Sequence, residues 1–523
     1  MNLKMSSGVN PRGCVLTNEG GPFRPNQVPA LTSKEPLPAM KAKLSFHSSL
    51  ARTCLGATAA AALLALSAAS FAQVSVGEPV PKLNDRRPYL GPDARTSEDP
   101  VRIPMKPVAE TGPELVIRGG RLFDAVSGGV RPATVVIQGN RIKAVLAPDA
   151  TDWGPDAKII DAADKTVMPG LIDMHTHVTY PDRASPFDEQ GSEGAGTLRG
   201  QRNLRYFLES GFTSVRDLNG VSNAPFLLSQ WSAAEMIPAP RVFAAGWIIT
   251  GTGGHATERP VIPSHGPDYA KEVDGPDAWR GMVRKAFKEG ASVIKIASHF
   301  APDEVRAGIE EAHLLGLKVT CDCETIYTEM AVDAGIDMIE HPLPRSDAAI
   351  AKMAKKKIAA VPTLQVYQNL LDRAGGFYGS TSRRFTMTSQ GNFDEFKKMK
   401  AAGIIMGVGT DTIGDASLMV PNSYIAELKW FVRGGYSVTD ALKAGTIVNA
   451  RLLDMGDELG SIEPGKLADI IIVGGRPDEN LDDLAKVEQV IKDGQWLIRD
   501  GELVTLRHVS TPLVKPSPPA DVK

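Results

Sequence analysis

The chain has 523 residues, of which 42% are hydrophobic and 23% charged, with a formal net charge of −3. This is the composition of a globular protein long enough to bury a large core unaided, and its near balance of charge gives no electrostatic case for a nucleic-acid partner. Four cysteines exclude a disulfide-rich scaffold.

The first 72 residues do not read as fold. Leu55 to Ala69, LGATAAAALLALSAA, is an apolar run of signal-peptide length, preceded by Lys41, Lys43 and Arg52. Ser70-Phe71-Ala72 then supplies small residues at the −3 and −1 positions of a cleavage site. The run is too short and too rich in Ala for a spanning helix. The expectation is cleavage after Ala72, a periplasmic or secreted protein, and no membrane attachment of the mature form. Met40 directly precedes the basic stretch, so residues 1–39 read as an upstream extension from a start codon placed too early, and 40–72 as the signal peptide. Residues 73–112, rich in Pro and charge, read as an N-terminal arm.

From Glu114 the pattern changes. ELVIRGGRLFD, ATVVIQGNRIKAVL and AKIIDAADKTVMPG predict short strands with Gly-rich turns across residues 113–170. KLADIIIVGG, VEQVIKDGQWLIRDGE and LVTLRH predict the same across 456–508, before a tail at 509–523. Between these β segments, residues 171–455 alternate apolar strands with amphipathic helices. The strands are LIDMHTHV (171–178), TSVRDL (213–218), RVFAAG (241–246), VIKIAS (293–298), KVTCDC (318–323), MIEH (338–341), AAVPTL (359–364) and GVGTD (407–411). Eight such strands predict an α/β fold, a (β/α)8 TIM-like barrel, with a β-sandwich domain built from the segments flanking it. A barrel of this kind carries its chemistry at the C-terminal ends of its strands.

Metal-competent residues stand at those ends. Strand one ends in His175-Thr176-His177, and residues i and i+2 of a strand share a face, so two imidazoles converge. Strand four holds Lys295 in an apolar stretch, strand six ends in His341 and strand eight in Asp411. A buried ammonium needs a partner or a change of charge. One solution is uptake of CO2 by the neutral amine, giving a carbamate that bridges two metals. Singly, each residue is as well explained by structure; together, at the ends of strands one, four, six and eight, they point to a metal centre.

On these residues the chain resembles the amidohydrolase superfamily. PGLIDMHTHV is similar to its first-strand signature, GSIEPGKLADIIIVGG to its flanking β segment, and Gly409-Thr410-Asp411 to its last-strand motif. GFTSVRDLNG (211–220), TGTGGHATE (250–258), GASVIKIAS (290–298), AGIDMIEHPL (334–343) and VPTL (361–364) narrow the resemblance to the imidazolonepropionase/prolidase-related branch, over about residues 114–505. It implies a metal-dependent hydrolase of amide or related C–N bonds. It carries a metal role onto His175, His177, Lys295 as carbamate, His341 and Asp411, and places His255 near the substrate.

One departure stands out. The family's fifth strand usually ends in a His-x-His-like stretch, where this chain has Cys321, Asp322 and Cys323. The two cysteines share one face and Asp322 points to the other. Thiolate is a good zinc ligand, so Cys321 and Cys323 are expected to stand in as metal ligands, with small buried apolar residues as the plainer alternative. A disulfide between i and i+2 of a strand is not expected.

The reaction expected is hydrolysis of a dipeptide-like or N-acyl amino acid substrate by metal-activated water, with Asp411 moving the proton and His255 assisting. The cofactor is one or two divalent metal ions, zinc foremost, with Lys295 N-carboxylated. Arg216, Tyr367 and Tyr378 are candidates for holding the substrate, Arg216 through a carboxylate, with pairing to Asp217 or another acid as its plainer reading. Two alternatives stay open: deamination or cyclic-amide opening, and a ligand-binding barrel whose catalysis is impaired by the strand-five change. A homo-oligomer is left open, since relatives often associate and no heptad pattern marks an interface.

Overall fold

The computed structural model describes residues 111–182, 192–257, 269–374, 387–413 and 416–504. The expected upstream extension, signal peptide and C-terminal tail, nearly all of the N-terminal arm, and Tyr378 lie outside the described residues.

The first strands are β1 (Glu114–Phe123), β2 (Val130–Gln138), β3 (Arg141–Leu146), β4 (Lys158–Asp161) and β5 (Thr166–Pro169). Ten more follow: β6 (Leu171–His177), β7 (Phe212–Asp217), β8 (Arg241–Ala244), β9 (Ile248–Thr250), β10 (Ala270–Glu272), β11 (Val293–Ile296), β12 (Lys318–Cys321), β13 (Met338–Glu340), β14 (Ala359–Val361) and β15 (Thr412–Ile413). The chain returns through β16 (Ile470–Val473), β17 (Val487–Lys492), β18 (Gln495–Arg499) and β19 (Glu502–Leu503).

The two flanking segments share one nine-stranded sheet, in which β16 pairs antiparallel with β5. A chain that leaves a sheet at β5 and rejoins it next door at β16 holds the intervening residues as an insertion. One face of this sheet buries Ile117, Val135, Ile137, Ile470 and Ile472 together. Between the flanks the strands pair in parallel, in a four-stranded sheet β15-β6-β7-β8 and a six-stranded sheet β10-β9-β11-β12-β13-β14.

Backbone hydrogen bonds also run from one parallel sheet to the other. Ser292 N donates to Ala244 O at 2.9 Å on one side. On the other, Gly407 N donates to Ala360 O at 2.9 Å and Met174 N to Val408 O at 3.0 Å. Gly409 lies in this second seam, where a Cβ would stand 2.8 Å from the backbone nitrogen of His175, so only glycine lets the two segments approach.

Helices connect the parallel strands, and their limits follow from local chemistry. Helix Pro276–Glu289 opens on proline, whose missing N–H costs nothing there, and stops at Gly290 with φ 108°. It buries Trp279, Val283 and Ala286, one helical stripe. Helix Asp347–Lys356 begins where Ser346 accepts a hydrogen bond from Ala349 N. A buried ion-pair cluster ties β8 to the nine-stranded sheet: Arg241 reaches Asp469 Oδ2 at 2.9 Å and Asp493 Oδ1 at 2.5 Å.

Candidate metal centre

The strand ends meet where the sequence places its histidines. Oδ1 of Asp411 lies 2.9 Å from Nε2 of His177 and 3.5 Å from Nε2 of His175. The ligand atoms of these three residues all lie within 4.8 Å of one another, and all three residues are buried. Asp411 Oδ1 accepts no hydrogen bond of normal geometry among the described residues. Imidazole and carboxylate atoms gathered on one buried point are the arrangement a divalent cation needs, so the donor set fits a metal.

Each ligand is held from behind. Nδ1 of His175 faces Glu340 Oε2 at 2.8 Å, and Nδ1 of His177 faces the carbonyl of Asn219 at 3.0 Å, which leaves both Nε2 atoms directed at Asp411. Tyr180 stacks on the His177 ring with centroids 4.5 Å apart. Asp173 grips both sides of the β6 seam, accepting from His175 N, Thr410 N and Thr410 Oγ1. His341, just past β13, has φ 65°, and Asp411, just before β15 in a segment expected as strand but not forming one, has φ 49°, a left-handed backbone that costs on the order of 1–3 kcal/mol at each residue.

Electrostatics fit the same reading. Burial, then the Lys295 ammonium, holds the His175 imidazole well below its ordinary value, so it is neutral and able to ligate. Burial raises the Asp411 carboxyl, but His177, His341 and Lys295 outweigh it and leave the group below the usual carboxylate range. Lys295 is 1% exposed, with Nζ 3.2 Å from His175 Nε2 and 3.9 Å from Asp322 Oδ2. His341 places Nδ1 2.8 Å from Thr363 Oγ1 and Nε2 3.1 Å from Asp322 Oδ2. His255 reaches the same carboxylate oxygen at 3.2 Å, its backbone N–H donating to Ser298 Oγ at 3.1 Å.

Strand five corrects the sequence reading. The sulfurs of Cys321 and Cys323 are joined as a disulfide, with the Cα atoms 5.2 Å apart, and both residues lie in the main hydrophobic cluster. They are not placed as metal ligands. β12 ends at Cys321, so Cys323 is free of strand geometry and the Cα separation falls in the range a disulfide requires. The residue that faces the site is Asp322, whose carboxyl is pulled well below its ordinary value by His341, His255 and Lys295 against the opposing effect of burial. The signal was available: Asp322 is the only charged residue of the three, and it lies beside His341, His255 and Lys295.

Arg216 is corrected as well. It is fully buried and committed, with Nη2 on Glu340 Oε1 at 2.6 Å and Nε on Met174 O at 2.5 Å, leaving it no reach to a substrate carboxylate. Glu340 went unnoticed in sequence because MIEH directs attention to the histidine. It joins Arg216, His175 and the Thr320 hydroxyl in one buried network. Tyr367 is buried, with its ring 5.4 Å from that of His341, so it does lie beside the site.

Comparison with known proteins agrees with this geometry. A model of the amidohydrolase family matches residues 166–497. The chain is 25% identical over 428 residues to an imidazolonepropionase of Symbiobacterium thermophilum, covering 74% of this chain and 94% of that one. A Geobacillus imidazolonepropionase is 27% identical over 391 residues, with 66% and 84% covered. Among solved structures, an Xaa-Pro dipeptidase with methionine bound in its active site is 27% identical with a TM-score of 0.66, covering 73% of this chain and 99% of that one. A prolidase complexed with N-methylphosphonate-L-proline is 28% identical with a TM-score of 0.67, covering 74% and 100%.

Proposed function

This chain belongs to the amidohydrolase family, as an imidazolonepropionase- and prolidase-related hydrolase of C–N bonds, and from that premise we propose that it cleaves the amide of a dipeptide-like or N-acyl amino acid substrate. The observation that carries the proposal is the convergence of His175, His177 and Asp411 on one buried point, with Lys295 3.2 Å from His175.

A divalent ion, zinc foremost, held by these residues would supply Lewis acidity and lower the pKa of the attacking water to ~7. The protein's own groups do the rest. Asp411, ionised at neutral pH, takes the proton of the attacking water and delivers it to the leaving nitrogen. His255, whose backbone N–H donates to Ser298 Oγ and whose Nε2 faces Asp322, is the residue assigned to assist at the oxyanion. Lys295, between the two histidine groups, is the residue for N-carboxylation, because a carbamate there exchanges a buried cation for an anion beside metal ligands.

The two parallel sheets read best as one (β/α)8 barrel. Their strand order and the hydrogen bonds across both seams support this. Export across a membrane, with cleavage after Ala72, rests on sequence alone and is tested by the N-terminal mass of the protein purified from its source. The substrate proposal is tested by incubating purified, metal-loaded enzyme with panels of dipeptides and N-acyl amino acids. Release of free amine together with a carboxylate supports it. Release of ammonia as the sole amine product overturns it in favour of deamination.

A further inference from the structure

We propose that Asp274 and Glu272 are positioning residues for the reaction: they tether the turn at Thr252 and Gly253 and so fix where the following His255 presents its imidazole. The inference rests on the amide-hydrolase reading, in which His255 assists at the oxyanion. It concerns residues on and just past β10, the end strand of the six-stranded sheet.

The backbone of the His255 loop carries the argument first. Its N–H groups can be followed one by one from the end of β9. Gly251 N donates to Ser298 O at 3.1 Å, Thr252 N to Asp274 Oδ1 at 3.1 Å and Gly253 N to Glu272 Oε1 at 2.8 Å. Gly254 N donates to Gly251 O at 2.9 Å and His255 N to Ser298 Oγ at 3.1 Å. Of these consecutive amides, Gly254 alone bonds within the loop. Thr252 is held at two further atoms: its Oγ1 donates to Asp274 Oδ2 at 2.6 Å, and its carbonyl accepts from His299 Nδ1 at 3.2 Å.

Strand register carries it second. β9 pairs in parallel with β10 on one side, Thr250 opposite Glu272, and with β11 on the other, Ile248 opposite Lys295. Glu272 and Asp274 share a face, with Val273 buried between them, and the same register brings Asp274 alongside Thr252. The loop thus runs in a slot, with two carboxylates on the β10 side and Ser298 and His299 on the β11 side. A Cβ on Gly251 would overlap the carbonyl of His299, so the chain is pressed against one wall while the carboxylates hold it from the other. Ala256, directly after His255, has φ 72°, a left-handed backbone that alanine keeps only where its surroundings impose it.

The consequence is local. Thr252, Glu272 and Asp274 are exposed, so their bonds add little to the stability of the whole chain and act on the loop they hold. All the groups presented to the two carboxylates are donors, and an ionised oxygen accepts from them more strongly than a neutral one. An oxyanion donor raises the rate only when it waits where the charge develops. A misplacement of about 1 Å, set by a residue away from the chemistry, costs on the order of 100-fold.

The test combines hydrogen-exchange mass spectrometry with kinetics on the metal-loaded full chain, using the panel substrate that the wild type hydrolyses fastest. In Asp274→Ala the peptide spanning residues 250–257 is expected to exchange about fivefold faster, the worth of about one lost hydrogen bond. Its kcat is expected to fall about 10–100-fold, with KM, metal content and unfolding midpoint close to wild type. Asp274→Asn is expected to recover most of both losses, because its amide oxygen accepts from Thr252 N and its amide N–H donates to Thr252 Oγ1. Glu272→Ala, which loses a single bond, is expected to show a smaller fall. In a His255→Ala background Asp274→Ala is expected to lower kcat no further. Unchanged exchange or unchanged kcat in Asp274→Ala overturns the proposal, as does a loss in Asp274→Asn as large as in Asp274→Ala, or full additivity with His255→Ala. A wild type that hydrolyses no amide of the panel is a different failure, that of the amide-hydrolase reading, and the exchange measurement still decides whether Asp274 holds the loop.

Discussion

Replacing Glu340 with Gln removes one negative charge from the centre of a sealed network. Glu340, Arg216 and His175 are each fully buried, and Glu340 faces His175 Nδ1 at 2.8 Å and Arg216 Nη2 at 2.6 Å. Breaking a buried ion pair by removing one partner costs about 3–5 kcal/mol, because the other charge stays buried alone. Arg216 keeps its bond to the Met174 carbonyl, and the Gln oxygen still accepts one hydrogen bond, so the lower end, about 3 kcal/mol, is the expected loss. With a urea slope of ~3 kcal/mol per M this moves the unfolding midpoint down by roughly 1 M. The variant also loses the charge that orients His175, and metal affinity falls about 10–100-fold, as for other supports behind a ligating imidazole. Adding Arg216→Met removes the orphaned cation. Most of the lost stability then returns, while metal affinity stays low because only a neutral amide oxygen, not a carboxylate, stands behind His175. Urea unfolding and metal titration of the two variants read these effects separately. A Glu340→Gln protein with an unchanged midpoint and unchanged metal affinity refutes the reasoning, and so does a double variant no more stable than the single one.

Further expectations follow from the same contacts. Gly409→Ala places a methyl 2.8 Å from His175 N and 2.7 Å from Val361 Cγ1; overpacking of this kind costs about 1–3 kcal/mol, and displacement of β6 lowers metal retention, measured on one sample by unfolding and metal analysis. Arg241→Ala leaves Asp469 and Asp493 buried without their shared cation, and the unfolding midpoint falls by an amount equivalent to about 3–5 kcal/mol. His313 lies 2.9 Å from Asp337 Oδ2, and although burial works to lower its pKa, the Asp337 carboxylate raises it above the ordinary 6.5. The stability this pair contributes is full below that ordinary value and is lost as pH rises through the raised one. His313→Asn is therefore less stable than wild type at pH ~6, by about 0.5–1 kcal/mol for a part-exposed pair, with the gap closing by pH ~9; a gap that widens with pH contradicts the assignment.

Much of the site was legible because strand ends are where a barrel-like fold exposes chemistry, and a polar residue ending an apolar run is visible in sequence. His175, His177 and Asp411, which the structure brings onto one point, and Lys295 and His341, which lie beside them, were all visible that way. The face of strand five was not. Alternation divides Cys321, Asp322 and Cys323 between two faces but does not say which is inside; that depends on Lys295 pairing with Thr320 across the neighbouring strand. The thiol chemistry of zinc outweighed the plainer cue of a lone carboxylate. For Arg216 the plainer reading, an ion pair with an acid, holds, but its partner was not visible. Its partner Glu340 lies 124 residues away, so nothing local marks the arginine as already satisfied. The flanking sheet was readable as strands, but that both flanks join in one nine-stranded sheet comes from β5 meeting β16, a long-range pairing.

The central claim is that a metal held by His175, His177 and Asp411 drives hydrolysis of an amide bond. The direct measurement is amine release from the dipeptide and N-acyl amino acid panel by the purified enzyme as loaded, after chelator stripping, and after Zn2+ or Mn2+ is restored, with His175→Asn alongside. Hydrolysis that disappears on stripping, returns with metal, and is absent in His175→Asn is the predicted result. Hydrolysis that survives both stripping and His175→Asn contradicts it.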